Sequence, residues 1–259
     1  MNTLFINNRQ QQSIAVLVEH PMRQRGVAVV MHGLGGRKEQ AHLQCIAETL
    51  REQGYTVVRF DTTNATGASG GDYYHATASN YYHDLEDLIA WAATQSWYQE
   101  PFILVGHSLG GLCTALFAEN NPAKVYALAP IATVVSGSLL IQAWQQKDPQ
   151  RFALWQQQGW QEEVSRSRAG LVKRLAWAFV DDVAQYDLLP LASSLTMPVL
   201  LLVGEADDIT PLATQQLLYE QLSGCKELHL IAHAPHTIQD PIQLQKVALL
   251  LQQWLRRIA

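Results

Sequence analysis

The sequence predicts an α/β protein: a mostly parallel central sheet of about eight strands with helices on both faces. Three observations carry this. Short continuous apolar runs alternate with amphipathic segments along most of the chain, the pattern of strands buried on both faces and joined by crossover helices. Several of these runs stop abruptly at polar or glycine residues, as at His32-Gly33, Asp61 and Gly106. The chain is 259 residues long and 48% hydrophobic, which suits one large core, since α/β folds of roughly 250 residues often form a single unit.

The elements follow in order. Leu4 to Ile6 and Ser13 to Val18 are extended runs joined through Asn7-Asn8, a hairpin signature. Gly26 to Met31 is a continuous apolar run and reads as a buried parallel strand. From Glu39 to Gln53, Leu43, Ile46, Ala47 and Leu50 share one helical face, and Gly54 suits the stop. Tyr55 to Phe60 is the next strand. A loop rich in Gly, Ser and Thr spans Asn64 to Asp72. The helix over Asn80 to Ala93 turns Leu85, Leu88, Ile89 and Ala92 inward. Phe102 to Val105 is a strand running straight into Gly106, and Leu109 to Glu119 is a helix halted before Pro122. Strands follow at Val125 to Ala129, Val199 to Val203 and Leu228 to Ile231. Between the last two, Thr210 reads as the cap of a helix opening on Pro211. Asp240-Pro241 starts the final helix, with Leu244, Val247, Ala248, Leu251 and Leu255 inward.

One interval breaks the alternation. No clear strand occurs between Ile131 and Met197, where Trp144, Trp155, Trp160 and Trp177 stand among Gln-rich helical segments. A structureless loop of that length is uncommon. The reading is a single domain over 1–259 with a helical cap or lid inserted over 131–196. The tryptophans could line an acyl or aromatic pocket, although such residues at helical spacing usually form core.

The composition narrows the function. Lys and Arg number 18 against 23 Asp and Glu, a net charge of −5 without a basic block, so a nucleic-acid footprint is not expected. Cys45, Cys113 and Cys225 are odd in number and far apart, which suggests neither a disulfide framework nor a zinc site and suits a reducing compartment. The N-terminus shows no signal-peptide pattern, and no apolar run approaches the roughly 20 residues that cross a bilayer. A cytoplasmic protein without membrane contact is expected, its oligomeric state unreadable.

The chemistry concentrates in Gly106-His107-Ser108-Leu109-Gly110. A serine at a tight strand-to-helix turn exposes its hydroxyl, and glycines two residues on either side remove side chains that would collide. The following helix aims its free N–H groups at the reacting centre. His32-Gly33-Leu34-Gly35-Gly36 follows a buried strand and can bring a second backbone N–H to a developing oxyanion. The two donors expected are Leu34 and Leu109. His32 itself reads as structural. A serine nucleophile needs a base, and the base an orienting carboxylate, in the chain order Ser, acid, His. Gly204-Glu205-Ala206-Asp207-Asp208 follows a strand and supplies Asp207 as the acid, with Asp208 the main rival and Glu205 less suited. His236, after the last strand, is the base, and His233 reads as a loop residue. No helical histidine pair has metal-ligand spacing, so neither metal nor cofactor is expected.

With these motifs in this order, the chain resembles the α/β-hydrolase superfamily from about Val27 to Leu255. Within it, the chain is similar to the serine aminopeptidase-like and feruloyl-esterase-like branch, whose members carry a helical cap after the sixth strand. The resemblance implies a nucleophile at Ser108, acid at Asp207, base at His236 and oxyanion positions at Leu34 and Leu109. One stretch departs from it. Many relatives have Asp-x-Arg-Gly-x-Gly-x-Ser where this chain has Asp61-Thr-Thr-Asn-Ala-Thr-Gly-Ala-Ser69, without the Arg and one residue longer; no substrate contact is carried over there. The expected function is hydrolysis of small to medium carboxylic esters or thioesters through an acyl-enzyme. A peptidase, an acyltransferase or perhydrolase on the same residues, and a non-catalytic binding protein on the same fold are the alternatives.

Overall fold

The computed structural model describes residues 2–164 and 170–259. Its centre is an eight-stranded sheet in the order β1-β2-β4-β3-β5-β6-β9-β10. These strands are β1 (Leu4–Asn7), β2 (Ser13–Glu19), β3 (Gly26–Met31), β4 (Tyr55–Phe60), β5 (Phe102–His107), β6 (Val125–Ile131), β9 (Val199–Gly204) and β10 (Lys226–Ile231). β1 pairs antiparallel with β2, and β2 antiparallel with β4. Every other neighbouring pair is parallel.

Burial explains why the central strands read as unbroken apolar runs. All six residues of β3 are buried, but they serve two cores. Val27, Val29 and Met31 point to one face, with Leu85 and Leu88 of α2 (Ala78–Ala92) and Leu112 and Ala115 of α3 (Leu109–Asn120). Ala28 and Val30 point to the other, with Leu43, Ile46 and Leu50 of α1 (Ala41–Glu52) and Val247, Leu251 and Trp254 of α8 (Pro241–Arg257). A period of two in the strand and 3.6 in the helices brings these sets together. Asp240 caps α8 as its position suggests, its carboxylate accepting from the N–H groups of Ile242 and Gln243 at 2.9 and 3.1 Å.

Two expectations need correction. The segment between β6 and β9 is not wholly helical. It holds α4 (Gly137–Lys147), α5 (Pro149–Gln158) and α6 (Ala178–Val183), but also an antiparallel hairpin of β7 (Trp160–Val164) and β8 (Val172–Ala176). The hairpin carries charge where a buried strand would carry apolar residues, as in Gln161-Glu162-Glu163 and Lys173-Arg174, so no hydrophobic period announces it. Residues 165–169, also within the expected cap, lie outside the described residues. The second correction concerns Thr210. The helix α7 (Leu212–Gln221) begins with Pro211 at its cap position, and Thr210 does not cap it. Its side chain is taken up by Asp207, described below.

Among the described residues, no helix is long and apolar enough to cross a membrane.

Candidate active site

Ser108 sits between the end of β5 and the start of α3 with φ 56° and ψ −118°. A left-handed φ in a non-glycine residue costs about 1–3 kcal/mol and persists where the surroundings enforce it. Here the backbone is pinned on several sides. The Ser108 N–H donates to Ile131 O at 3.0 Å, and its carbonyl accepts from Gly111, Leu112 and Val134 at 2.9, 3.2 and 3.1 Å. The flanking glycines are sterically required. A Cβ on Gly106 would lie 2.2 Å from the Gly110 carbonyl oxygen, and one on Gly110 would lie 2.4 Å from that of His32. The strand, the elbow and the loop after β3 touch backbone to backbone.

The structure brings Ser108, His236 and Asp207 into one chain of contacts. Ser108 Oγ is 2.9 Å from His236 Nε2, and His236 Nδ1 is 2.9 Å from Asp207 Oδ2. Asp207 Oδ1 also accepts from the N–H groups of Ile209 and Thr210, both at 2.9 Å. Burial pushes this carboxyl up, but the bond and charge of His236 and the two backbone donors outweigh it and hold Asp207 down to about 2. It is therefore an anion at neutral pH, able to fix the ring with its proton on Nδ1 and leave Nε2 to accept from the serine.

Asp208 lies elsewhere. Its side chain is 59% exposed and pairs with Lys147 of α4. Glu205 accepts from the His233 N–H at 2.7 Å and faces His233 Nδ1 at 3.0 Å, and it does not line the chamber of Ser108. Thr210 belongs to the site. Its hydroxyl is 2.9 Å from Asp207 Oδ2, 2.9 Å from the Ala132 carbonyl and 3.2 Å from His236 Nδ1. The Asp-x-x-Thr spacing was the available signal, because a carboxylate that binds the N–H three residues on draws that side chain with it.

Leu34 and Leu109 both line the chamber of Ser108 and His236. Neither backbone N–H has a hydrogen-bond partner among the described residues. The loop carrying Leu34 is held from behind. Tyr81 of α2 accepts from the Gly35 N–H at 3.0 Å. His32, fully buried, donates from Nδ1 to Gly33 O at 2.7 Å and accepts at Nε2 from the Thr62 N–H at 3.0 Å. Both ring nitrogens are thus used, and burial lowers its basicity. Asp61, which opens the stretch lacking the Arg of the resembled pattern, is an anchor inside the fold. It accepts from Lys38 Nζ, the Lys38 N–H and the Ala68 N–H at 2.7, 2.6 and 2.8 Å.

The chamber encloses about 190 Å³, with Val134, Leu140, Trp144 and Phe179 as apolar wall. A second cavity of about 270 Å³ adjoins it, lined by Phe152, Trp155 and Leu175. Leu34, Tyr73, Trp144, Glu163 and Ile209 line both. Tyr73, Glu163 and Lys173 escape sequence reasoning: they arrive from a short turn and from the unannounced hairpin, and only tertiary packing places them here.

A family model described as serine aminopeptidase, S33, matches residues 22–169, more than half of the chain. The chain belongs to this family. It is an α/β-hydrolase. Palmitoyl-protein thioesterase ABHD10, mitochondrial, of Homo sapiens is 27% identical over 202 residues, which cover 77% of this chain and 63% of that protein. The match thus spans less than two thirds of that relative's length. A pyrethroid hydrolase of Sphingobium wenxiniae is 31% identical over 108 residues, 42% of this chain and 36% of that protein. Among solved structures, the α/β-hydrolase domain-containing protein 10 from mouse superposes with a TM-score of 0.80 at 20% identity, covering 100% of each chain. Est1E from Butyrivibrio proteoclasticus with bound ferulic acid superposes at 0.79 and 18% identity, covering 98% of each. At such identities the likeness speaks for the fold.

Proposed function

We propose that this α/β-hydrolase cleaves small to medium carboxylic esters or thioesters through an acyl-enzyme on Ser108. The observation that carries the reading is the continuous Ser108–His236–Asp207 chain, with contacts of 2.9 Å at each step. His236 Nε2 takes the hydroxyl proton as Ser108 Oγ attacks the acyl carbon, and the carbonyl π electrons move onto oxygen. The N–H groups of Leu34 and Leu109 stabilise that oxyanion, each contributing roughly 10²–10³ in rate. Asp207 holds the ring and balances its charge. Collapse expels the alcohol or thiol, which takes the proton from His236. A water then gives its proton to His236 and attacks the acyl carbon, and the acid departs as the proton returns to Ser108.

This sequence needs neither metal nor cofactor, and its partner is a small-molecule ester. The segment 131–196 acts as the cap, since Leu140, Trp144, Phe179 and Lys173 line the chamber of Ser108. The thioester variant is supported by the similarity to palmitoyl-protein thioesterases. The unpaired Cys45, Cys113 and Cys225 suit a reducing compartment such as the cytoplasm.

The test compares the protein with Ser108→Ala on p-nitrophenyl esters and acyl thioesters of increasing chain length. Turnover that falls by more than about 10³-fold in the variant is expected. Equal turnover by both proteins removes Ser108 as nucleophile. No turnover, together with no labelling of Ser108 by a fluorophosphonate, removes the hydrolase reading.

A further inference from the structure

The β7–β8 hairpin brings charge into the chamber of the nucleophile. Glu163 on β7 and Lys173 on β8 are register partners and form an ion pair at 2.5 Å. Both line the chamber with Ser108, Leu34, Leu109 and His236. Among the described residues, Lys173 is the chamber's one lysine or arginine and Glu163 its one acidic lining residue. The partners are unequal: the Lys173 side chain is 11% exposed and that of Glu163 39%. Lys173 Nζ stands 5.0 Å from the centre of the Tyr73 ring. That ring packs on Gly35, where a Cβ would lie 2.7 Å from Tyr73 Cε2 and 3.1 Å from Lys173 Nζ. The ammonium therefore rests against the oxyanion loop, one residue from Leu34.

A cation held inside a chamber by a more exposed carboxylate has a replaceable counter-ion. A bound substrate excludes water from the pair. An apolar group laid over it leaves both charges desolvated without new partners, which is costly. A group bearing its own anion takes the ammonium and releases Glu163 to solvent. The side of the substrate concerned also follows. The leaving group is protonated at His236, whose loop supplies Thr237 and Gln239 to the chamber. Lys173 stands on the Gly35–Tyr73 side, from which Leu34, Tyr73 and Glu163 continue into the second cavity. With the leaving group departing along the His236 loop, that side is the one left for the acyl group.

We propose that Lys173 is a specificity determinant for acyl groups that carry an anionic group such as a carboxylate, with Glu163 as its resting counter-ion. The proposal rests on the ester-hydrolase reading above. The probes are mono-p-nitrophenyl esters of adipic, pimelic and suberic acids, each compared with the p-nitrophenyl alkanoate of equal carbon number. Lys173→Met is expected to lower the ratio of kcat/KM on the best half-ester to that on its neutral partner about tenfold, mainly through the KM of the half-ester. Lys173→Arg should retain the half-ester activity. Glu163→Gln should raise it at least threefold. A Lys173→Met loss shared equally by charged and neutral esters means a merely structural lysine and overturns the proposal. So does an unchanged half-ester rate.

If the protein turns over neither series, the labelling of Ser108 decides the hydrolase reading, and binding decides this proposal separately. Calorimetry on Ser108→Ala with monomethyl adipate and methyl hexanoate should then show at least tenfold tighter binding of the former, abolished by adding Lys173→Met. Equal binding overturns the proposal.

Discussion

His107, one residue before Ser108, donates from Nε2 to the backbone carbonyl of His236 at 2.9 Å. Its ring lies 5.0 Å from that of His236 and 4.4 Å from that of His42 on α1. The turn that carries Ser108 thus holds the loop of His236 directly, through the His107 side chain. Burial, then the neighbouring His236, pushes the His107 ring down to about 3, so it stays neutral and keeps this geometry throughout the physiological range.

Removing that contact should loosen the base without touching the substrate. His107→Leu is expected to lower kcat about tenfold with KM little changed, and to cost about 1–3 kcal/mol of stability for the carbonyl left unpaired. His107→Gln, whose amide can donate to the same oxygen, should recover most of the rate. Steady-state kinetics and urea unfolding of both variants decide this. An equal loss in the two would mean that ring packing matters and the hydrogen bond does not.

The neighbouring aspartates should separate cleanly. Asp207→Asn is expected to lower kcat by about 10⁴, because the amide no longer enforces the productive ring tautomer. Asp208→Asn loses only an exposed pair with Lys147 and should stay within about twofold. A large loss in Asp208→Asn would move the acid by one position.

Stability should fall in acid earlier than ordinary carboxylates would cause. His32, His42 and His107 are all lowered by burial, so the unfolded chain binds their protons first. Their contribution is complete above about pH 6.5 and is lost as pH falls toward the folded values, by about 1.4 kcal/mol per pH unit for each proton gained. Urea unfolding between pH 7 and pH 4 measures the slope. A flat profile over that interval would contradict the neutral, buried rings.

Glu119 acts in the opposite direction. Burial, then the charge of Asp187, raises its carboxyl to about 8, and its Oε1 is buried without a partner. The unfolded chain releases this proton near pH 4.5, so stability is lost as pH rises from there to about 8. Glu119→Gln should therefore stabilise the protein at pH 9 by about 1–3 kcal/mol and have little effect at pH 4. Thermal unfolding at the two pH values is the check.

The elbow should tolerate no methyl group. A Cβ on Gly110 meets the backbone oxygens of His32 at 2.4 Å and Met31 at 2.7 Å, which cannot rotate away. Gly110→Ala is expected to cost at least about 3 kcal/mol and to separate the oxyanion loop from the nucleophile. Gly159, where nothing stands within 4 Å of an added Cβ, is the control for space alone, although its φ of 81° still costs an alanine roughly 1 kcal/mol.

Legibility in the sequence tracked burial. Val27 to Met31 and Val199 to Val203 are buried on both faces, so hydrophobicity alone marks them. The contacts among Ser108, Asp207 and His236 join residues that each follow a strand, and parallel strands deliver their C-terminal ends to one edge of the sheet. The hairpin obeyed neither rule. Its residues are largely polar and half-exposed, and its position depends on packing against the Tyr73–His75 turn. Thr210 was legible only as a local signal, and the cap it suggested competed with a carboxylate three residues earlier that bound it more strongly. Lys173 and Glu163 gave no signal, since a charged pair in sequence looks the same on a surface as inside a chamber.

The chain leaves the sheet after β6 and returns at β9, and these strands are immediate neighbours, with Ile131 opposite Leu202. The stretch between those points is therefore one continuous crossover, leaving at the C-terminal end of β6 and re-entering at the N-terminal end of β9. The part of this excursion beyond Val134, whose N–H holds the Ser108 carbonyl, can be exchanged for another without altering any strand register or the contacts among Ser108, Asp207 and His236. New substrate ranges can arise on this scaffold by grafting a single stretch of chain, while the proton-transfer apparatus is inherited intact.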